Sequence, residues 1–237
     1  MTKDDDYTDL DHRFRSADQY ALAKYRITLR WIELSGARRG RLVNIGCGAG
    51  LFNHMAVDAG FDVLGVEPDP VAFALADSDR PSGHCEVRNC GIEALGDLHD
   101  VDVVVMHDVL EHIDDDGAAV EMIRSILAPD GIAIISVPAM QSLFGLHDEQ
   151  LGHFRRYSRR TLRDVLVPTL SVDRLRAFGF AFIPVTLVLS RILRRPYPVE
   201  AAASDGLLSK AMRGWCELES QVPTPIGTSL LALCRVP

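Results

Sequence analysis

The chain has 237 residues, 47% of them hydrophobic, and a formal net charge of −8 at pH 7. This length suits one α/β domain with a buried core and is too short for two domains of typical size. The negative charge disfavours nonspecific binding to nucleic acid or to an anionic membrane, because interaction with phosphate groups would be repulsive overall.

Cysteine usage and the distribution of apolar residues narrow the class of protein further. The five cysteines are scattered, without the paired spacing of a zinc site or a disulfide framework, so we predict a reducing, cytoplasmic environment and no metal site. Residues 1–16 are acidic and polar, without the apolar stretch of a secretory signal, so we expect a flexible tail and then one domain at 17–237. The longest apolar stretch, 178–189, is interrupted by glycine and proline, so no stable membrane insertion is expected.

Apolar periodicity predicts alternating helices and strands over the first 138 residues. In the first helix, Leu22, Tyr25, Leu29 and Ile32 recur at helical spacing, and the run 101–106 is typical of a central strand covered on both faces. The expected elements, in chain order, are a helix at 17–34, a strand at 41–45, a helix at 50–59, a strand at 62–66, a helix at 69–76, strands at 85–88 and 101–106, a helix through Val120, Ile123 and Leu127, a turn at 129–131 and a strand at 132–137.

The regular alternation stops after Pro138. Residues 139–160 are predicted to be loop-like and are rich in His and Arg, followed by a helix at 161–167 and a strand at 172–180. A helical insertion at 181–225, which we expect to act as a lid, precedes a final apolar strand at 229–234. The pattern as a whole favours an α/β fold with a Rossmann-like, doubly wound sheet.

A glycine-rich turn follows the first predicted strand. Gly46, Gly48 and Gly50 lie at alternate positions, where the lack of a Cβ lets backbone amides approach a ligand closely. Glu67 ends the next strand, 21 residues after Gly46, where its carboxylate can accept hydrogen bonds from both hydroxyls of a ribose. A dinucleotide fingerprint needs glycine or alanine where this chain has Leu51, so the pattern favours an adenosine-containing cofactor other than NAD.

Four ordered motifs carry a resemblance to a known family. They are 43–50 (VNIGCGAG), 66–68 (VEP), 107–113 (HDVLEHI) and 127–131 (LAPDG). With these motifs the chain resembles the class I S-adenosylmethionine-dependent methyltransferases, and its core is similar to the ubiquinone-biosynthesis O-methyltransferases. Outside the core, residues 151–158 (LGHFRRYS) resemble a lid motif of a bacterial subgroup of small methyltransferases.

The resemblance implies S-adenosylmethionine as the cofactor. It also implies a seven-stranded sheet whose last strand runs antiparallel, with a final hairpin of 172–180 and 228–236. Gly46, Cys47 and Gly48 would lie against the methionine part of the cofactor, and Glu67 would hold the ribose. The remaining residues that it places at the cofactor are His107 and Asp108 at the tip of the fourth strand, Pro68, Ile92 near the adenine, and Arg26 at the methionine carboxylate.

Asn44 and Gly91 depart from the family pattern, which usually has aspartate at both positions. Asparagine keeps a hydrogen bond to the glycine turn but lacks the charge that favours a cationic cofactor. Gly91 leaves the adenine amino group without its usual acceptor, and Glu93 is a candidate replacement.

Methyl transfer from a sulfonium is an in-line displacement, so a protein mainly has to hold nucleophile, methyl carbon and sulfur collinear in a water-poor pocket. A hydroxyl or protonated amine also needs a base, whereas a carboxylate does not. The candidate catalytic bases are His112, His147 and His153, whose ordinary pKa near neutrality suits proton abstraction. The alternatives are a structural role for His112 and loop anchoring by His153, with Asp148 or Tyr157 as its partner.

Arg155, Arg156 and Tyr157 are the candidate substrate-binding residues. Neighbouring guanidinium groups suit a carboxylate or phosphate, which they bind through two parallel hydrogen bonds. The alternative, for at least one of the two arginines, is a salt-bridged brace that fixes the lid on the sheet.

We therefore predict a methyltransferase that acts on a small molecule, with an oxygen of a hydroxyl or carboxylate as the favoured acceptor. Nucleic acid is not an expected partner, and a homodimer is allowed. N-methylation of a small amine and a non-catalytic domain that binds S-adenosylmethionine or S-adenosylhomocysteine remain as alternatives.

Overall fold

The computed structural model describes residues 18–37, 39–194 and 207–237. The predicted tail at 1–16 and residues 195–206 of the predicted insertion lie outside the described residues. The helices are α1 Gln19–Leu34, α2 Leu51–Asp58, α3 Pro70–Ser78, α4 Asp116–Ile126, α5 Leu146–Gln150, α6 Arg159–Leu166, α7 Ile183–Thr186, which continues as a π-helical stretch over Leu187–Ile192, and α8 Leu207–Gln221. The strands are β1 Gly40–Ile45, β2 Phe61–Val66, β3 Cys85–Arg88, β4 Val101–His107, β5 Leu127–Pro138, β6 Ser171–Phe178 and β7 Ser229–Arg235.

The strands form one seven-stranded sheet in the order β3-β2-β1-β4-β5-β7-β6. The pairs β1–β2, β1–β4, β2–β3 and β4–β5 are parallel, whereas β7 runs antiparallel to both β5 and β6. This confirms the predicted Rossmann-like sheet with an antiparallel last strand. Strand order reverses between β1 and β4, and in such sheets ligands bind outside the carboxyl ends of the strands at that point.

Local sequence signals account for several helix starts. Asp69 caps α3 by accepting hydrogen bonds from the backbone amides of Val71 and Ala72, and Pro70 is the first helical residue. Asp18 caps α1 in the same way, through the amide of Tyr20. An acidic or hydroxyl side chain at this position stabilises a helix by satisfying amides that have no partner within it.

The sheet separates two apolar clusters. Because successive side chains of a strand point to opposite faces, Val104 and Met106 of β4 pack with α4 and α6, whereas Val103 and Val105 pack with α1 and α2. Burial on both faces explains why the central strands are near-continuous apolar runs.

Two local predictions need correction. The predicted turn at 129–131 lies inside β5. The pairing of β5 with β4 shifts there from Val101↔Leu127 to Val103↔Ile132, so residues 128–131 form an irregularity in the strand. The region 139–160, which the sequence predicts to be loop-like, contains the short helix α5. Among the described helices, none combines the length and apolar character needed to cross a membrane.

Candidate active site

The glycine turn after β1 is joined to the end of β2 by the Glu67 carboxylate. Its Oε2 accepts a hydrogen bond from the amide of Gly48 at 2.8 Å, and its Oε1 accepts one from the amide of Asp69 at 3.0 Å. Each carboxylate oxygen can accept two hydrogen bonds, so both retain capacity for a ribose hydroxyl. Glu67 is nevertheless buried, so its position is set by these loops before any ligand binds.

Gly46 lets the β1 turn lie directly against the loop that follows β4. Its φ is +66°, and a Cβ at this position would collide with the side chain of Val109. The amides of Gly46 and Cys47 both donate to the carbonyl of Val66. Burial, with the nearby Glu67 charge adding to it, raises the pKa of the Cys47 thiol to about 12, so Cys47 contributes a neutral side chain to this turn.

A buried lysine faces the tip of β4. Lys24 of α1 forms an ion pair with Asp108, whose second oxygen accepts a hydrogen bond from Ser136 at 3.1 Å. Asp108 has φ of +53°, an uncommon conformation for a residue with a side chain. The pair therefore places a cation and an anion beside the glycine turn, at the point where strand order reverses.

Arg26, which the resemblance places at the methionine carboxylate, does not lie beside the glycine turn. Residues two apart on a helix point in nearly opposite directions, so Lys24 and Arg26 cannot face the same site. Arg26 instead forms an ion pair with Glu217 of α8 at 2.6 Å, with about half of each side chain exposed. Lys24 lies on the covered face of α1, four residues before buried Thr28, and apolar periodicity alone carries no signal for it because it treats lysine as exposed.

His107 lies at the tip of β4 as predicted, but its ring points into the core. Its Nε2 is 2.8 Å from Oγ1 of Thr28, and the ring packs against Tyr25 and Phe52 at centroid distances of 4.8 and 5.0 Å. His107 thus supports the site from the α1 side of the sheet.

The two departures from the family pattern have different surroundings. Asn44 is buried and donates to Oδ1 of Asn53 in α2 at 2.8 Å, so it ties β1 to the helix that begins after the glycine turn. A Cβ at Gly91 would meet the carboxylate of Glu93, which therefore occupies the space that a side chain at position 91 would enter. Ile92 follows at the start of a short 3-10 turn, Ile92–Ala94. The side-chain amide of Asn89 donates to the carbonyls of Glu67 and Pro68 and so ties the preceding residues to the loop after β2.

The three predicted catalytic histidines lie near one another. The rings of His112 and His153 meet edge to face with centroids 4.5 Å apart, and the His147 ring is 6.4 Å from that of His153. His112 belongs to the 3-10 turn Leu110–His112 after β4, His147 to α5, and His153 follows α5. The structure thus gathers them on segments that leave the carboxyl ends of β4 and β5.

Asp148 orients His153. Its Oδ1 is 2.9 Å from Nδ1 of His153 and accepts a hydrogen bond from Nε of Arg156 at 2.7 Å. Burial alone would raise the pKa of the Asp148 carboxyl, but the hydrogen bonds from His153 and Arg156 outweigh it and lower the pKa to about 2. The contact with Asp148 at Nδ1 fixes the orientation of the His153 ring and turns its other nitrogen, Nε2, away from Asp148. That nitrogen lies 4.0 Å from Oε1 of buried Glu111.

The three residues predicted to bind substrate form internal braces. Arg155 donates to Asp116 at 3.0 Å, and buried Arg156 donates to Asp148 and to the carbonyl of Ala139. The hydroxyl of buried Tyr157 donates to the partly exposed Asp116 at 2.8 Å. These contacts are of the kind expected for a brace by both arginines, and substrate binding by the three residues stays a prediction.

The fold and the site together define a class of protein. A glycine turn after β1, an acidic residue ending β2 and a polar β4 tip, all at the reversal of a 3-2-1-4-5-7-6 sheet, are the features of a class I S-adenosylmethionine-dependent methyltransferase. Residues 14–168 match the model of the methyltransferase domain family, and the chain belongs to that family. S-adenosylmethionine is its cofactor.

Named relatives agree with this assignment. A ubiquinone biosynthesis O-methyltransferase of Rhodopseudomonas palustris (strain TIE-1) is 30% identical over 98 residues, 40% of this chain and 39% of that protein. An uncharacterized methyltransferase of Mycobacteroides abscessus is 33% identical over 138 residues, 54% of this chain and 52% of that protein. The chain thus spans only about 39% to 52% of the length of these relatives.

The N-methyltransferase NodS of Bradyrhizobium japonicum WM9, solved with S-adenosylhomocysteine, has the same fold. It superposes with a TM-score of 0.59 at 17% identity, over 90% of this chain and 86% of that one. At this level of identity the likeness concerns the fold alone.

Proposed function

We propose that the chain transfers a methyl group from S-adenosylmethionine to an oxygen of a small-molecule acceptor. The observation that carries the acceptor side is the gathering of His112, His147 and His153 at the same sheet edge as the glycine turn. A hydroxyl must lose its proton as the methyl arrives, and an imidazole with a pKa near neutrality suits that task. The O-methyltransferase name of a relative supports oxygen, although the match covers 39% of that protein.

The residues of the glycine turn fit the cofactor. When bound, the cofactor supplies a sulfonium-activated methyl group, and the protein has to position it. We assign the ribose to Glu67, the adenine amino group to Glu93 and the methionine carboxylate to Lys24 in place of Arg26. Glu67 and Lys24 are supported by their burial at the strand-order reversal, and Glu93 by its carboxylate lying where a side chain at position 91 would extend.

The test is product formation on an acceptor panel. The full chain is incubated with S-adenosylmethionine and phenols, aliphatic alcohols, carboxylic acids or amines, and S-adenosylhomocysteine and methylated products are measured by mass spectrometry. We expect methylation of an oxygen acceptor. Methylation confined to amines would overturn the proposal in favour of N-methylation.

Histidine variants test the acceptor side. For a hydroxyl acceptor, we expect alanine at the responsible histidine to lower kcat by about 10²–10⁴-fold, the usual contribution of a general base. His84→Ala is the matched control, because His84 is exposed and pairs with Asp62 at 2.6 Å, away from the three histidines. If all three alanine variants keep the wild-type kcat across the whole pH range, none of the three histidines is the base.

A second candidate function is a non-catalytic domain that binds the cofactor or its demethylated product. Asn44 and Gly91 favour it, because each removes a carboxylate that the family usually supplies. Calorimetry separates the two functions, since tight binding with no turnover on any acceptor class would support the second. The absence of a nucleic-acid partner and the homodimer stay predictions.

A further inference from the structure

Three metal-ligating groups converge outside the cofactor turn. One carboxylate oxygen of Glu111 and one ring nitrogen each of His112 and His153 all lie within 4.8 Å of one another. They come from two chain segments, the 3-10 turn after β4 and the segment that follows α5. The amide of Phe154 donates to the carbonyl of Glu111 at 2.9 Å, so backbone hydrogen bonding holds the two segments together.

A second observation concerns the orientation of His153. Its Nδ1 is bonded to Asp148, a fully buried carboxylate that is itself held by Arg156 and by the amide of Gly145 at 2.9 Å. A metal-ligating histidine usually bonds a carboxylate, a backbone carbonyl or a water through the ring nitrogen that does not bind the ion, and this partner sets the ring orientation and the tautomer. The arrangement directs the other nitrogen, Nε2, towards Glu111.

We propose that Glu111, His112 and His153 bind one divalent transition-metal ion of the zinc type. One carboxylate and two imidazoles form a ligand set found in zinc sites that keep a further position for water or substrate. With bonds of about 2.0–2.2 Å, tetrahedral ligand atoms lie about 3.4 Å apart, so the three groups have to draw together by about an ångström. His112 is exposed, which leaves the remaining position accessible.

The prediction of no metal site rests on the spacing of the cysteines, and that spacing carries no information on this group of residues. The ligands are the adjacent Glu111 and His112 and, 41 positions after His112, His153, and no cysteine takes part. His147 stays outside the ligand set and so remains a candidate base. Metal binding does not depend on the proposed methyl acceptor, and it is measured without cofactor or acceptor.

The experiment is a Zn²⁺ titration of the tag-free full chain after chelator treatment, followed by calorimetry and by elemental analysis of the dialysed protein. We expect one ion per chain. Replacing the exposed ligand, as in His112→Ala, should weaken Zn²⁺ binding by at least about 100-fold, whereas Asp148→Asn should weaken it by about 10–100-fold, as for other carboxylates behind a ligating histidine. His84→Ala, which changes an exposed histidine elsewhere, should leave the affinity unchanged.

Circular dichroism and thermal unfolding without metal confirm that each variant is folded. His112→Gln provides a second variant of similar size if the alanine variant is unstable. Bound Co²⁺ should give a visible absorption spectrum that is lost in the His112 variants. The proposal is overturned if the wild-type chain binds no Zn²⁺, or if the His112 variants bind it as tightly as His84→Ala does.

Discussion

The buried Lys24 allows the cofactor assignment to be tested by a single substitution. Lys24→Met keeps a long unbranched side chain but removes the ammonium group that pairs with Asp108. Removing one partner of a buried ion pair typically costs about 3–5 kcal/mol. Lys24 is 4% exposed but Asp108 is 25% exposed and keeps its bond to Ser136, so we expect a cost of about 2–3 kcal/mol. For a chain of this size that corresponds to a fall in Tm of about 4–12 °C.

The effect on ligand binding is the more specific part of the prediction. Loss of a charge-assisted hydrogen bond to the methionine carboxylate costs about 1.5–3 kcal/mol, which is roughly a tenfold to hundredfold rise in Kd. The assay is calorimetry with S-adenosylmethionine, S-adenosylhomocysteine and 5′-methylthioadenosine. The first two should weaken together, and the third, which has no amino-acid end, should bind as before.

Arg26→Met is the matched comparison, because Arg26 lies two residues away on the exposed side of α1. It should leave all three affinities unchanged. The reasoning is refuted if Lys24→Met binds S-adenosylmethionine normally, or if Arg26→Met is the variant that loses it. Adding Asp108→Asn to Lys24→Met should recover part of the lost Tm, since it removes the carboxylate left without its cation.

Three further predictions follow from single contacts. Asn44→Asp should lower the free energy of unfolding by about 1–3 kcal/mol, because it buries a charge beside Asn53. It should also raise the affinity for S-adenosylmethionine relative to S-adenosylhomocysteine, because only S-adenosylmethionine carries a sulfonium cation. An unchanged ratio of the two Kd values by calorimetry would contradict this. Tyr157→Phe should cost about 1–2 kcal/mol in urea unfolding through the lost bond to Asp116, and an increase in KM for the acceptor would instead put its hydroxyl in the acceptor site. Iodoacetamide at pH 8, followed by peptide mass spectrometry, should modify the half-buried cysteines first and the others increasingly as pH rises. Burial raises the pKa of the protected thiols, Cys47, Cys216 and Cys234, to about 12, and the first to react should be Cys85 and Cys90.

The sheet and the cofactor turn could be predicted because their signals are local. A strand covered on both faces has to be a short apolar run, as 101–106 is, and a chain that bends sharply towards a ligand needs glycine, as at Gly46. The link between Gly48 and Glu67 also follows from neighbouring parallel strands, whose carboxyl ends lie at one edge.

The rotation of α1 could not be read from the same kind of signal. The stripe Leu22, Tyr25, Leu29 and Ile32 predicted one buried face, but Leu22 and Leu29 are only half-buried. The covered face is turned towards Lys24 and Thr28, because those side chains find polar partners at the tip of β4. Apolar periodicity treats both lysine and arginine as exposed, so it predicts that Lys24 and Arg26 both face solvent. It does not show that Lys24 pairs with Asp108.

The loop after β5 shows why a structural and a functional interpretation of the same residues need not compete. The sequence alone allows Arg156 to be a brace or a substrate-binding residue, and His153 to be a loop anchor or a catalytic base. In the structure the brace is the orienting device: Arg156 holds Asp148, and Asp148 sets which nitrogen of His153 faces Glu111 and His112. A buried guanidinium therefore acts on the site through two intervening contacts, and Arg156 is best tested as a positioning residue rather than as a ligand for the acceptor.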